Sequence, residues 1–305
     1  MKLLSPAHWT DYELLDTGGF EKLERFGQYI LSRPEPQAVW SKAWPQDQWE
    51  NMANAIFRKE TGKDSERGEW ILKKNMPQQW WMNYVYGNMK LRFRLGLTAF
   101  KHVGLFPEQA ENWNYIYDTL REIRTTQPRV LNLFAYTGGA SLAARAAGAE
   151  VTHVDSVRQV VNWSRENMEA SGLKDIRWVV EDAMKYLRRE VKRGKQYEGI
   201  ILDPPAYGRG PAGEKWILEE GINELMELCS KLLSQNKALL ILNLYSMGFS
   251  ALVAENIVQS YFPQIADECG ELFIPDRSGR RLPLGVFMRG TKIFSPHYCH
   301  SHSSP

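Results

Sequence analysis

Val130-Leu-Asn-Leu-Phe-Ala-Tyr-Thr-Gly-Gly-Ala140 is the stretch that decides the fold. Its first half is an apolar run typical of a buried parallel strand, and its second half is a glycine turn that leads into a helix. Gly138 and Gly139 have no Cβ, so the backbone there can pass close to a ligand. The N–H groups at the start of the following helix favour a polar or anionic group at the same place. The stretch therefore predicts a ligand-binding loop at the carboxyl end of a central strand.

A second apolar strand runs directly into Asp203-Pro-Pro-Ala-Tyr207. Two successive prolines fix φ and remove backbone donors, so carbonyl groups of this turn can face a crevice. The Asp203 carboxylate and a neighbouring carbonyl then form an acceptor pair for an N–H₂ group, and Tyr207 can lie flat against a planar base. Ligands of open parallel sheets bind outside the carboxyl ends of the strands, so the two strand ends can share one crevice. The predicted catalytic residues are Asp203, Pro204 and Tyr207.

From about residue 113 onward, apolar strands alternate with helices, which is the signature of an α/β fold with a parallel sheet. The predicted strands are Val130–Phe134, Glu150–Val154, Ile176–Val180, Gly199–Leu202 and Ala238–Leu244. The predicted helices are Ala140–Ala147, Val157–Ser171, Ala183–Lys192 and Leu218–Leu233. A hairpin is predicted from Glu271–Ile274 and Leu284–Met288.

Short strand candidates separated by Gly, Pro and Asn turns dominate the first hundred residues. We predict a smaller, mainly antiparallel β domain over residues 1–103, an α/β domain over 104–294 and a flexible tail over 295–305. The strand candidates are Tyr12–Leu15, Lys22–Phe26, Tyr29–Ser32, Trp70–Leu72, Trp81–Val85 and Leu91–Leu95, with one helix around Gln48–Phe57. Most of the tryptophans lie before residue 120. Core packing is the favoured interpretation, and a platform for stacking bases is the alternative, which needs exposed, clustered rings.

The bulk composition is that of a soluble globular protein, with 43% hydrophobic and 24% charged residues. The longest apolar run, near Ala238–Leu242, is far shorter than the roughly 20 residues that cross a bilayer. The N-terminus has no apolar core for a signal peptide, so we expect a cytoplasmic protein without a membrane partner. Three cysteines without a Cys-x-x-Cys pair make a disulfide framework unexpected. A net charge of +2 neither demands nor excludes a nucleic-acid partner.

The glycine loop and the Asp-Pro-Pro turn together resemble the class I, Rossmann-like S-adenosylmethionine (SAM)-dependent methyltransferases. The resemblance implies a doubly wound sheet of seven strands with an antiparallel last strand, and SAM as the cofactor. The sequence Gly-x-Gly-x-x-Gly is missing from the loop, which argues against a nicotinamide dinucleotide fold. Asp155 is placed to accept hydrogen bonds from the ribose hydroxyls. Asp182 is implied to contact the adenine amino group, and a helix N-cap is its other interpretation.

Gly104-Leu-Phe-Pro-Glu-Gln109 is similar to a turn that several RNA methyltransferases place against the methyl donor. It adds Phe106, Glu108 and Gln109 to the candidates. The predicted cofactor-binding residues are Phe106, Gln109, Asn132, Phe134, Tyr136, Thr137, Gly138, Gly139, Asp155, Asp182 and Asp203.

Within this class, the chain resembles bacterial large-subunit ribosomal RNA methyltransferases that have an N-terminal β module, whose members modify cytosine C5 or a guanine nitrogen. Cytosine C5 needs a cysteine thiolate as nucleophile, which those members carry just after the fifth strand. This chain has Asn243-Leu-Tyr-Ser-Met247 there, and Cys229 falls within a predicted helix. The resemblance therefore implies RNA, most plausibly ribosomal, as the partner, with direct, non-covalent methyl transfer to a base nitrogen, guanine favoured. Asn243 and Tyr245 are expected to form the pocket wall.

Other acceptors remain open at this point. Ala206 takes the place where an aromatic residue usually follows the two prolines, which weakens an assignment to an exocyclic amine. A protein side chain or a small molecule is the alternative acceptor. A non-catalytic SAM- or RNA-binding protein is the alternative from another class.

Three polar clusters carry weaker signals. His297, Cys299, His300 and His302 lie on a Ser-rich terminus and are interpreted as a solvated tail, so no metal site is predicted. Two basic clusters are interpreted as solvated faces, with RNA phosphate contact as the alternative. They are Lys185, Arg188, Arg189, Lys192, Arg193 and Lys195, and then Arg277, Arg280 and Arg281.

Overall fold

A large mixed sheet forms the centre of the computed structural model, which describes residues 1–7, 9–60, 67–123, 127–245 and 248–292. Across the sheet, the strands are β1 (Lys2–Leu4), β16 (Ala266–Pro275), β17 (Arg281–Lys292), β15 (Ala238–Leu244), β12 (Gly199–Leu202), β9 (Arg129–Leu133), β10 (Glu150–Asp155) and β11 (Ile176–Val180). All neighbours are parallel except β17, which is antiparallel to both β15 and β16. The predicted α/β sheet is confirmed, and β1 adds an eighth strand to the seven expected.

The order of the strands reverses between β9 and β12, which are hydrogen-bonded neighbours. Their register sets Leu133 opposite Leu202, so both strands end at the same level of the sheet. The glycine loop and the Asp-Pro-Pro turn therefore begin side by side. A crevice at such a switch point is the usual ligand site of an open α/β sheet.

Six helices accompany the sheet in the described part of the chain. They are α2 (Ala110–Glu122), α3 (Gly139–Ala146), α4 (Arg158–Ala170), α5 (Ala183–Lys192), α6 (Leu218–Leu232) and α7 (Ala251–Tyr261). α3 to α6 match the predicted helices to within one residue at each end. α2 and α7 were not predicted. A 3₁₀ turn, Pro107–Gln109, leads into α2.

The β module consists of a five-stranded sheet and a separate hairpin. The sheet contains β2 (Tyr12–Gly18), β3 (Glu21–Phe26), β4 (Tyr29–Pro34), β5 (Ala55–Lys59) and β6 (Gly68–Leu72), and the hairpin contains β7 (Gln79–Tyr86) and β8 (Met89–Gly96). All pairs are antiparallel except β4 with β5. The predicted helix Gln48–Phe57 is wrong in its second half. The helix, α1, spans Gln46–Met52, and β5 follows it because Ala55 and Phe57 are buried in pairing with β6.

One continuous core joins the β module to the large sheet. The same buried cluster contains Phe26 and Phe93 of the module together with Trp113 of α2 and Val130 of β9. Most of the early tryptophans described here are buried or half-buried, which supports core packing, whereas Trp81 is 40% exposed. The division of the chain at residues 103 and 104 stays a prediction. No described helix is long and apolar enough to span a membrane.

Candidate active site

The loop that follows β9 has an unusual backbone. Phe134 and Tyr136 have positive φ angles of 55° and 48°, and Gly138 has 92°. Residues with a Cβ rarely adopt positive φ, and each costs about 1–3 kcal/mol of strain. Such strain persists only where surrounding contacts impose it, and it concentrates at functional sites.

Asp155, at the end of β10, imposes part of this conformation. Its Oδ2 accepts a hydrogen bond from the Tyr136 N–H, and its Oδ1 accepts one from the Val157 N–H, both at 2.9 Å. Burial raises the pKa of the Asp155 carboxyl. Each carboxylate oxygen keeps further acceptor capacity, so the residue fits a ribose diol while it also holds the loop.

A chain of buried polar groups lies beneath the loop. Asn132 donates from Nδ2 to Ser141 Oγ at 2.9 Å, and Ser141 Oγ lies 3.0 Å from His153 Nδ1. Ser164 Oγ donates to the Tyr136 carbonyl at 2.6 Å. Burial lowers the pKa of His153 to about 3, so its ring is neutral at physiological pH. Asn132, predicted as a cofactor contact, is 2% exposed and supports the loop from below.

Glycine is required at positions 138 and 139 for two different structural reasons. Gly138 adopts the left-handed backbone described above. A Cβ on Gly139 would lie 2.5 Å from the Trp113 ring, so this glycine permits α2 to pack against the start of α3. The sequence analysis attributed both glycines to the approach of a ligand. Thr137 is buried, and its hydroxyl donates to the Gly104 carbonyl at 2.7 Å.

Gly104 and Phe106 join the upstream turn to this loop. Gly104 has φ of 94°, and a Cβ there would lie 2.2 Å from the Trp163 ring, so only glycine fits. The Phe106 ring packs on the Tyr136 ring at 5.2 Å between centroids. The turn thus packs on the loop that follows β9, called the donor loop below, and its contact with the methyl donor stays a prediction.

The same turn reaches the end of β15. Asn112 donates from Nδ2 to Gln109 Oε1 at 3.1 Å and to Asn243 Oδ1 at 2.9 Å. These bonds connect the donor-side candidate Gln109 with the acceptor-side candidate Asn243. Asp182 lies at the end of β11 and caps α5 by accepting from the Lys185 N–H at 2.9 Å. The N-cap interpretation is confirmed, and the contact with adenine stays a prediction.

Two carboxyl groups near the crevice, those of Asp203 and Glu108, have raised pKa values. Burial raises the pKa of Asp203 to about 7. Burial also raises the pKa of Glu108 to about 7, and the nearby Asp203 charge adds to that shift. No hydrogen bond to the Asp203 carboxylate forms within the described residues. It is therefore an unused acceptor beside the crevice, which fits a ligand that donates N–H groups.

The Asp-Pro-Pro turn is anchored by a residue that the sequence analysis missed. Trp216 donates from Nε1 to the Pro205 carbonyl at 2.7 Å, and its ring packs 5.2 Å from the Phe134 ring. The Leu218 N–H donates to the Ala206 carbonyl at 3.0 Å. These two carbonyls are therefore engaged and do not face the crevice unpaired.

Trp216 belongs to a short hairpin, β13 (Tyr207–Arg209) and β14 (Lys215–Ile217). A Cβ on Gly221 would lie 2.5 Å from the Trp216 ring, so this glycine of α6 makes room for the indole. Tyr207 is 53% exposed, and its hydroxyl accepts from Arg209 Nε at 3.2 Å. Its role against a base stays a prediction.

The β module supplies two more residues near the acceptor side. Tyr245, just after β15, donates its hydroxyl to Glu35 Oε1 at 2.9 Å. The Lys22 ammonium lies 3.1 Å from Glu35 Oε2. Burial opposes ionisation of Glu35, but the Lys22 charge and the hydrogen bonds that Glu35 accepts, including that from Tyr245, together lower its pKa. Nothing in the sequence signals this contact, because Glu35 and Tyr245 are 210 residues apart.

The cysteines do not form a nucleophilic site in the described part. Cys229 is fully buried in α6, and burial raises the pKa of its thiol. Cys299 and the three terminal histidines lie outside the described residues. Over the ranges that the structure describes, no group of three His, Cys, Asp or Glu side chains could hold a metal ion.

Most arginines of the two basic clusters are paired with carboxylates. Arg188 with Glu224, Arg189 with Glu181 and Arg193 with Glu190 form ion pairs at 2.8, 2.6 and 3.0 Å. Arg277 pairs with Glu13 at 2.7 Å. These contacts support the interpretation as charged surface, since paired arginines are less available to phosphates.

Comparison with known proteins agrees with this geometry. A family model described as S-adenosylmethionine-dependent methyltransferase matches residues 29–260. The crystal structure of a SAM-dependent methyltransferase from Agrobacterium tumefaciens is 36% identical, with a TM-score of 0.85 over 95% of this chain and 93% of that one. A protein from Streptococcus mutans, described as a SAM-dependent methyltransferase, is 17% identical with a TM-score of 0.69 over 93% of this chain and 76% of its own, and shows the fold alone.

Curated relatives match a smaller part of the chain. The ribosomal RNA large subunit methyltransferase K/L of Shewanella frigidimarina is 31% identical over 156 residues, which are 50% of this chain and 21% of that protein. Its counterpart in Shewanella baltica is 31% identical over 174 residues, 54% of this chain and 23% of the relative. The chain thus matches about a fifth of the length of these relatives.

Proposed function

The chain belongs to the family of S-adenosylmethionine-dependent methyltransferases, and we propose that it methylates a base nitrogen of ribosomal RNA, guanine favoured, in the cytoplasm. Two curated relatives are named for ribosomal RNA methylation. The observation that carries the proposal is the unpaired Asp203 carboxylate. Asp203 directly follows β12, whose end lies beside the end of β9 and therefore beside the donor loop.

SAM supplies an electrophilic methyl group when it is bound. We propose that Asp155 holds its ribose and Asp182 its adenine, while Phe106, Phe134, Tyr136, Gly138 and the neighbouring loop and turn residues line its site. The fit rests on the acceptor capacity left on both carboxylates and on the strained loop that Asp155 and the buried polar chain support.

The acceptor half orients the base. Ionised Asp203 accepts hydrogen bonds from N–H groups on the base edge, and Tyr207 covers the base face. The lone pair of the ring nitrogen then forms the N–C bond as the C–S bond breaks. Because such a nitrogen carries no proton to lose, the positive charge passes from the sulfonium to the base. Alignment supplies the rate enhancement, and a thiolate is not needed because a ring nitrogen is itself nucleophilic. The buried, neutral Cys229 agrees with this route.

Transfer of labelled methyl from SAM to RNA and protein of cells that lack this chain tests the proposal. We expect label in large-subunit ribosomal RNA, and nuclease digestion then identifies the base. Asp203→Ala should abolish the label, and calorimetry on the variant shows whether SAM binding, for which Asp203 is also a candidate, is lost with it. Label in protein alone would move the acceptor to a side chain. No label, with SAM bound, would contradict RNA methylation and favour a small-molecule acceptor or a non-catalytic role.

A further inference from the structure

One segment of the chain is distinctly basic. From Trp70 to Pro107 there is no Asp or Glu, although the whole chain has nearly equal numbers of acids and bases. The cations of this segment are Lys73, Lys74, Lys90, Arg92, Arg94 and Lys101. Such a segment attracts polyanions when its cations are exposed and unpaired.

The β7–β8 hairpin presents part of this charge on one face. Side chains alternate along a strand, and Trp80, Met82 and Tyr84 enter the core. The opposite side, called the hairpin face here, consists of Trp81, Asn83, Val85, Lys90, Arg92 and Arg94. Trp81 is 40% exposed and Val85 is 60% exposed, so the face is not covered by the rest of the described chain.

An aromatic ring and cations are interleaved on this face. The Arg92 guanidinium lies 5.2 Å from the centre of the Trp81 ring. Neither Lys90 nor Arg92 has a carboxylate partner among the described residues. Arg94 differs, since it pairs with Glu166 at 2.6 Å and stacks on Trp163. The hairpin face thus offers two unpaired cations, in contrast to the paired arginines of α5.

Two acids beside the hairpin already have partners in it. Glu166 is occupied by Arg94. Asp11 Oδ2 accepts the Asn83 N–H at 3.4 Å, at the edge of the hairpin. Charge complementarity therefore favours an anionic partner over a neutral or cationic one.

We propose that the hairpin face binds single-stranded RNA. Trp81 stacks on a base, and Lys90 and Arg92 contact phosphates, which is how proteins combine aromatic and basic side chains on single strands. This inference rests on the proposed RNA substrate and adds a contact surface outside the catalytic crevice. The face is part of the same folded unit as the crevice, because β8 packs on α4 and the Trp163 indole donates to the Arg94 carbonyl at 2.8 Å.

RNA binding by the full chain at several salt concentrations tests the inference. The probe is a fluorescent oligouridylate of about 20 nucleotides, which has room for the 4–16 nucleotides that such sites cover. We expect Lys90→Gln/Arg92→Gln to reduce the slope of log affinity against log salt by about 1.4, since each phosphate contact on a single strand contributes about 0.7. Trp81→Ala should weaken binding by about 5- to 150-fold, and Trp81→Phe should retain much of it.

A matched control removes the same charge elsewhere. Lys192→Gln/Lys195→Gln changes two exposed lysines on and after α5, and should leave the salt slope unchanged. The affinity for SAM should stay unchanged in every variant, which shows that each one is folded. If every hairpin variant keeps the RNA affinity and the salt slope of the wild type, the hairpin face is not the RNA-binding surface, and the proposed RNA substrate is unaffected. Failure of the wild type to bind any RNA, including ribosomal RNA, would overturn the RNA substrate as well. If the wild type is a dimer that Trp81→Ala dissociates while RNA binding is unchanged, the hairpin face is a protein interface.

Discussion

The donor half and the acceptor half of the crevice are built in different ways. The donor loop is held from several sides by Asp155, by the buried chain beneath Asn132 and by the Thr137 contact with Gly104. The acceptor half is held differently: Trp216 and Leu218 donate to the Pro205 and Ala206 carbonyls, and Tyr245 donates to Glu35 of the β module. Two of its aromatic side chains, Tyr207 and Tyr245, are 53% and 42% exposed.

This difference has a functional meaning. A cofactor of fixed shape suits a rigid, prebuilt site, whereas an acceptor must be selected and released. The donor loop and the side chains that support it come from neighbouring segments between residues 104 and 164. The acceptor wall draws on the β module, so the choice of substrate can change without any change in the donor loop.

The largest expected effect is a loss of stability on the donor side of the crevice. Gly104→Ala should lower the free energy of unfolding by about 2–6 kcal/mol, because left-handed strain and a clash with Trp163 act together. Gly172→Ala is the matched control, since Gly172 also has positive φ but nothing lies near its Cβ position. We expect the control to lose only about 1–3 kcal/mol. Urea denaturation compares the two, and equal losses would show that the Trp163 contact does not matter.

Asp155→Ala addresses the donor half more selectively. We expect SAM binding to weaken by about 1–3 kcal/mol, the cost of leaving buried polar partners unpaired. Calorimetry measures the affinity, and Asp175→Ala, at an exposed carboxylate, serves as the control. An unchanged affinity would remove Asp155 from the cofactor site.

Acceptor chemistry should depend on pH through Asp203. Because burial raises its pKa to about 7, the carboxyl is protonated below that pH and accepts poorly from the base. The methylation rate at saturating SAM should therefore rise with pH through about 7. Below the pKa, the ionised fraction falls about tenfold for each pH unit. Asp203→Asn should be slow and should lack this rise. A wild-type rate that is flat from about pH 5 to 8 would contradict ionised Asp203 as the acceptor.

Trp216→Phe tests the side-chain anchor of the Asp-Pro-Pro turn. Phenylalanine keeps an aromatic ring beside Phe134 but cannot donate to the Pro205 carbonyl. We expect kcat/KM for the acceptor to fall about 2- to 10-fold, which corresponds to one hydrogen bond, with SAM affinity unchanged. Trp178→Phe, at a half-buried indole of β11, controls for the loss of an indole. A parallel loss of SAM binding would mean that the two halves are not independent.

The sequence predicted the donor half better than the acceptor half, for a physical reason. Apolar strands, the glycine turn and the carboxylate at the end of β10 are local patterns. The parallel pairing of the strands then brings their carboxyl ends to the same edge of the sheet. Gly139 shows the limit of this reasoning, because its small size serves packing against Trp113.

Contacts between distant segments left no local pattern. The pairing of Glu35 with Tyr245, the anchoring role of Trp216 and the neutral His153 all depend on tertiary neighbours. The error at Gln48–Phe57 has a similar cause. Ala55–Lys59 becomes a strand because β6 and the core are available to it, and tertiary context overrides local propensity.

The pairing of β1 with β16 constrains the order in which the protein can be completed. Residues 2–4 are synthesised well before their partners, residues 270–272. β1 therefore stays without its partner strand until the residues between them have been synthesised. A fusion or deletion that removes β1 would leave β16 as a bare edge, and exposed edges invite pairing with other chains. In the folded protein, β1 thus covers an edge of β16 that could otherwise pair with another chain.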